Sequence, residues 1–190
     1  MEQREHPEHA RSGRTRGAEA PLLHDIRVSR HDTVGGNLQE QRNDAWTTPT
    51  RSTRWTNEQL LFHMVFGYMV VQRLRILVKV FSRLPDSISR GFARVLNAAT
   101  RPFDVINYDG SCAAALVYNR RRMGAKMDRV IAALQRKLAR ESDGALRRGM
   151  HFPTRWDPFF TDYMTLEDVY RYPGRHFDFH ARQLTLTATQ

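Results

Sequence analysis

Residues 55–64 of the chain read Trp55-Thr56-Asn57-Glu58-Gln59-Leu60-Leu61-Phe62-His63-Met64, and this stretch predicts the start of the main helix. Thr56 and Gln59 have the spacing of a capping box, in which the two side chains satisfy each other's backbone N–H groups. Beyond them, apolar side chains recur at helical spacing as far as Phe81. The apolar run from Leu60 to Val71 is shorter than the roughly 20 residues that a membrane-spanning helix needs. We therefore expect a helix buried on most sides, ending near Leu84-Pro85.

Further helices are predicted downstream, and no segment alternates like a β-strand. The periodicity predicts a short helix at 86–100, followed by a connector at 103–110. It then predicts a long helix at about 111–142 and a final helix from Thr165 onward. The aromatic stretch 143–164 is expected to fold over one end of the helices. Pro173-Gly174 is expected to kink or break the last helix. The sequence thus predicts an all-α chain.

The first 50 residues differ from the rest in being polar and without a sustained period, with Gly35-Gly36 near their end. We predict a disordered polar tail at 1–50 and a helical domain at 51–190. The start of the chain shows no apolar segment of a secretory signal. Cys112 is the single cysteine, which excludes an internal disulfide framework and a cysteine-rich zinc site. Together these features favour a cytoplasmic location.

The net charge is +10, and the basic excess lies in the middle of the chain. Residues 56–150 carry 17 basic and 7 acidic side chains, whereas residues 1–55 carry 9 and 8. Such an excess attracts nucleic acid, anionic membrane surfaces or acidic small molecules. It is also typical of a solvated helix face. A basic binding module for nucleic acid or membrane surfaces is therefore one hypothesis, although no recognition motif accompanies the charge.

Three histidines form the main candidate site. His176 and His180 are four residues apart, so on a helix they share one face, and His63 lies on the predicted main helix. Neutral imidazole binds zinc, nickel, iron or copper, and three protein ligands leave positions open for water or substrate. Gly67 removes bulk one turn after His63, and Gln183 follows His180 at a distance that allows a hydrogen bond. By spacing alone, ordinary structural histidines explain the pattern better than a metal site does.

The two motifs together resemble the DinB-like superfamily of metal-binding four-helix bundles. The matching residues are the Trp55-Thr56 helix start with His63 eight positions after Trp55, and the later His176-x-x-x-His180-x-x-Gln183-Leu184. The resemblance covers about residues 54–186. It implies an up-down-down-up four-helix bundle with a long crossover, and His63, His176 and His180 as ligands of a divalent metal, zinc or nickel. The helix that usually precedes the Trp-Ser/Thr start is missing, so either the helix at 86–100 replaces it or this region diverges.

The resemblance also implies a function. Members of the superfamily include bacillithiol and mycothiol S-transferases and mycothiol-dependent maleylpyruvate isomerase. The expectation is a metal-dependent enzyme that transfers or uses a low-molecular-weight, mycothiol-like thiol, with the thiol and an electrophile as its small-molecule partners. A non-enzymatic metal-binding helical protein is the alternative. Nucleic acid and a transmembrane segment are not expected, and a homodimer is compatible with the sequence.

Two other residues were considered as site candidates. Cys112 falls on an apolar helix stripe, which favours inert packing over a nucleophile's role. His151 lies in the aromatic stretch, where it is either a pocket residue or base, or an ordinary loop residue.

Overall fold

The computed structural model describes residues 43–118 and 120–186, and this part of the chain is mostly helical, as predicted. Seven helices and two short strands follow one another as α1 (Asn43–Thr47), α2 (Asn57–Phe81), α3 (Asp86–Ala98), α4 (Thr100–Val117), α5 (Arg120–Leu138), α6 (Asp143–Leu146), β1 (Gly149–His151), β2 (Tyr163–Thr165) and α7 (Leu166–Ala181).

α2 is the central element, and it contacts α1, α3, α4, α5, α7 and β1. Its predicted capping box is confirmed: the Gln59 N–H donates to Thr56 Oγ1 at 3.4 Å, and the Thr56 N–H donates to Gln59 Oε1 at 3.0 Å. These two bonds satisfy backbone N–H groups at the helix start that have no partner within the helix. The apolar residues of α2 form most of the core together with side chains from α5 and α7.

α2 is also long and apolar enough to cross a membrane, by length and composition alone. In the structure, 56% of its most apolar 18-residue window is buried against other elements. A buried core helix has the same length and composition, so this property does not distinguish the two environments. The absence of a spanning segment stays a prediction.

Helical structure is present before residue 51. Residues 1–42, most of the predicted tail, lie outside the described residues. Residues 43–47, however, form α1, and the Trp46 side chain is 1% exposed within the core. The sequence does not predict this helix, because a single tryptophan among polar residues gives no periodic pattern.

The middle of the chain departs from the predicted helix boundaries. The predicted connector 103–110 is helical, and it belongs to α4, which begins at Thr100. Pro102, two residues beyond the end of the predicted helix 86–100, lies in the first turn of α4, where a proline removes no helical hydrogen bond. The predicted helix 111–142 is also wrong: Tyr118 is extended, with φ −99° and ψ 104°, and separates α4 from α5.

Two strands that the sequence did not predict frame the aromatic segment. β1 and β2 pair antiparallel, with Gly149 opposite Thr165 and His151 opposite Tyr163. Three-residue strands are too short to show alternation. A Cβ atom at Gly149 would lie 2.5 Å from the Met164 carbonyl oxygen, so only glycine allows this close pairing.

The aromatic segment 152–162 between the strands is packed against the helices, in agreement with the prediction. Trp156 stacks on Phe103 with ring centroids 4.0 Å apart, and its indole N–H donates to the Leu96 carbonyl at 2.7 Å. On the other side, Phe160 contacts Tyr172 of α7. The segment therefore bridges the α3–α4 junction and α7.

α7 is a continuous helix through Pro173-Gly174, so of the predicted kink or break, the break does not occur. Proline removes one backbone hydrogen bond from a helix interior. Here Pro173, Gly174 and Phe177 are buried, so tertiary packing offsets that loss. A second capping box, between Thr165 and Asp168, fixes the helix start where the sequence predicted it.

Candidate metal site

α2 and α7 run antiparallel, because Asn57 at the start of α2 bonds Thr185 beyond α7, whereas Arg75 near the end of α2 lies beside Tyr170 near the start of α7. This pairing brings the three predicted histidines together. Gly67 lies against His176, and Tyr68 contacts Phe177. His63, His176 and His180 each offer a ring nitrogen, and these nitrogens all lie within 4.8 Å of one another. Their ring centroids are 4.5 to 5.0 Å apart. Among the described residues, this is the one group of three or more histidine, cysteine, aspartate or glutamate side chains close enough to hold a metal ion.

Gly67 allows α2 to approach His176 closely. A Cβ atom at position 67 would lie 2.8 Å from His176 Nδ1 and 3.1 Å from its Cε1, closer than packed atoms normally approach. From the sequence, we expect Gly67 to leave space near the site. The structure shows that the room is taken by the His176 ring itself.

Burial keeps the three imidazoles neutral. His63 is 7% exposed and His176 3% exposed, and His180 is half-buried. Burial, with the nearby His180, lowers the pKa of His63 to about 3. Burial, with His63 and His180 nearby, lowers the pKa of His176 well below its usual value, and burial also lowers the pKa of His180. Unprotonated imidazole is the form that binds a metal ion.

Hydrogen bonds decide which nitrogens are available. His180 Nδ1 lies 2.7 Å from Gln183 Oε1, and because an amide oxygen only accepts, Nδ1 carries the proton and Nε2 keeps its lone pair. Nδ1 of His63 and Nδ1 of His176 are buried without a hydrogen-bond partner. Buried polar atoms without partners are costly and uncommon, and a bound cation would relieve that cost where a lone pair faces it. Three neutral imidazoles therefore form a donor set that could hold a divalent metal ion.

Trp55 covers one side of the cluster. Its ring stacks on His63 with centroids 4.5 Å apart and meets His180 edge-on at 6.4 Å. Trp55 thus packs directly against two of the candidate ligands.

Asp157 was missed by the sequence analysis. It comes from segment 152–162, and its Oδ2 lies 3.7 Å from His176 Nε2 and accepts a hydrogen bond from the Tyr172 hydroxyl at 2.7 Å. Burial raises the pKa of this carboxyl above its usual value. A carboxylate beside a ligating histidine commonly orients the ring. Asp157 lies between two prolines in a segment without periodicity, so no pattern linked it to the histidines.

The two other candidates lie outside the cluster. His151 is buried, with Nε2 3.2 Å from Asp86 and Nδ1 3.1 Å from Asp162. It joins the start of α3 to the β1–β2 pair, which is a structural role. Cys112 is half-buried on α4, and the metal-binding group does not include it.

The close approach at Gly67 predicts opposite effects of two glycine substitutions. Gly67→Ala should lower the free energy of unfolding by about 1–3 kcal/mol, since the methyl group collides with a buried ring. Gly91→Ala, in α3 with no atom within 4 Å of the added carbon, should raise it by about 0.5–1 kcal/mol. Urea unfolding of both variants checks this. Equal effects would contradict the close packing of α2 on His176.

The lowered histidine pKa values predict acid sensitivity of the metal-free protein. Between the unfolded value of 6.5 and the folded value of about 3, the unfolded chain binds a proton at His63 that the native protein does not. Stability should therefore fall as the pH drops below about 6.5. Urea unfolding between about pH 7.5 and about pH 5, above the usual carboxyl range, measures the slope. His63→Gln should flatten it, and an unchanged slope in that variant would contradict the burial of a neutral His63.

Comparisons with known proteins give no support beyond the resemblance of the two sequence motifs. Models of protein families, curated proteins and solved structures yield no match to this chain. The assignment of the site therefore depends on the convergence of His63, His176 and His180 and on their neighbours.

Proposed function

We propose that the protein binds one divalent metal ion, zinc or nickel, through His63, His176 and His180 and uses it to activate a small thiol. The proximity of the three ring nitrogens, all within 4.8 Å of one another, carries this proposal. Their neutral state and the orphan nitrogens of His63 and His176 support it. Three protein ligands leave room for a substrate atom, as is usual at catalytic sites.

We also propose a DinB-like, up-down-down-up bundle. α2 and α7 are antiparallel and carry the histidines, as the second and fourth helices of such a bundle would. α4 and α5 both contact α2 and would supply the remaining helices. Within the described residues, the short α1 is the helix that precedes α2, and its Trp46 is buried in the core.

The chemistry follows from the residues around the proposed ion. When bound, the ion supplies positive charge that lowers the pKa of a thiol placed beside it. Asp157 Oδ2 accepts the proton as the S–H bond breaks, and the electron pair stays on sulfur. The sulfur then forms a bond to an electrophilic carbon, whose leaving group departs with its own electron pair. Gln183 holds the His180 ring, and Trp55 excludes water from one side of His63.

A structural metal site is the second candidate. His63 on α2 and the histidine pair on α7 would let an ion cross-link the two helices that contact each other most closely. Such an ion stabilises the native state without any turnover. Removal of the ion by a chelator would then lower the melting temperature, and no thiol would react.

Metal analysis tests the site. Untagged protein should carry about one zinc or nickel ion per chain, and His176→Ala should carry none. His151→Gln is the matched control, because His151 is equally buried but lies outside the cluster, and it should keep the ion. Wild-type protein that stays metal-free after incubation with both ions would overturn the site.

Turnover separates the enzyme from the structural alternative. The loaded protein should accelerate the reaction of a small thiol with an alkyl halide, and a chelator should abolish the acceleration. Asp157→Asn should slow the reaction by about 100-fold or more, the usual effect of losing a general base, while the ion is retained. A loaded protein without any acceleration would support the structural alternative.

A further inference from the structure

A pocket of about 290 Å³ opens beside the histidine cluster. It lies between the turn before α2 and the first half of α4, and its lining residues are Thr53, Arg54, Trp55, Asp104, Asn107 and Tyr108. Its volume is close to the lower end of the range for small-molecule sites.

Two of the pocket's lining residues contact His63, which is not itself a lining residue. Trp55 stacks on His63, and the Asn107 side chain is within hydrogen-bonding reach of the same ring. A molecule in the pocket would therefore have one end near His63 and the other between the remaining lining residues.

Aromatic stacking organises the outer part of the pocket. Tyr108 stacks on Trp55 with centroids 5.9 Å apart, and the Arg54 guanidinium carbon lies 4.2 Å above the Tyr108 ring. A guanidinium that stacks on a ring by its face keeps its N–H edges free, and these edges match a carboxylate. The stacking thus orients Arg54 for anion binding.

Both charged residues of the pocket are available to a ligand. Within the described part of the chain, neither Arg54 nor Asp104 has an ion-pair partner within 4.0 Å. A ligand with a carboxylate alone would meet repulsion from Asp104, and an ammonium alone would meet repulsion from Arg54. A ligand with both groups satisfies both side chains.

We propose that this pocket binds the amino-acid end of a small zwitterionic thiol, with its carboxylate on Arg54 and its ammonium on Asp104. The thiol then points past Asn107 toward His63. This inference rests on the proposed function, because the thiol end uses the histidine site, and it adds the substrate class to that function.

Four probe thiols test the proposal on protein loaded with cobalt(II), whose absorption changes when a thiolate binds. Cysteine should bind most tightly, and 3-mercaptopropionate, cysteamine and 2-mercaptoethanol should bind less tightly, because none of them satisfies both charged side chains. Each charged contact should contribute up to about fivefold in affinity, the upper range for exposed ion pairs. Cysteine should also leave the ion in place, because its amino group is held by Asp104 and cannot chelate.

Two variants and a control assign the contacts. Arg54→Gln should weaken cysteine and 3-mercaptopropionate but not cysteamine, and Asp104→Asn should weaken cysteine and cysteamine but not 3-mercaptopropionate. Arg51→Gln, an exposed neighbour that does not line the pocket, should change nothing. Equal binding of all four thiols to the wild type, stripping of the ion by cysteine, or equal effects of Arg54→Gln and Arg51→Gln would overturn the proposal.

Failure of the proposed function gives a different result. If no ion binds, the metal site is wrong, and the pocket is tested by saturation-transfer NMR with the same four compounds on metal-free protein. If both Arg54→Gln and Asp104→Asn reduce the saturation-transfer signal of cysteine, the result would still support the zwitterion pocket. Identical signals from wild type and both variants would overturn it.

Discussion

The buried amide of Asn57 holds the two ends of the described chain together. Its Nδ2 donates to the Ala45 carbonyl at 2.8 Å and to Thr185 Oγ1 at 2.9 Å, and its Oδ1 accepts from the Thr185 N–H at 3.0 Å. The side chain is 0% exposed, so both donors and the acceptor need these partners. Because Asn57 begins α2 and Thr185 follows α7, these bonds fix the positions of His63 and His180 relative to each other.

The sequence predicted the elements whose signals are local. The helix start at Thr56 follows from a capping box, which needs only four consecutive residues, and the start at Thr165 follows from the acidic side chains of Glu167 and Asp168 in the first turn. The elements that it did not predict depend on tertiary contacts. α1 is held by one buried tryptophan, and the β1–β2 pair by a close contact at Gly149. Pro102 is equally typical of a helix end and of a first turn, and only the packing of α4 on α2 distinguishes them.

At the candidate site, too, residues with local sequence signals could be predicted, and residues that depend on tertiary contacts could not. The histidines could be named because two of them share a helix face and the third follows a capped helix start. Asp157, Asn107 and Arg54 could not be named, since they lie on segments whose folding the sequence does not specify. The structure also gives the histidines a physical reason to bind an ion. Burying ring nitrogens without hydrogen-bond partners costs free energy, and a bound ion would offset part of that cost.

The antiparallel pairing of α2 and α7 also determines when the histidine cluster can form. Asn57 and Thr185 are 128 positions apart, so their contact closes a loop through nearly the whole folded region. Loops of this length close late and at a large entropic cost. During synthesis, the cluster has only one of its three imidazoles until the final helix leaves the ribosome. The proposed ion could therefore be held by all three histidines only after α7 has been synthesised.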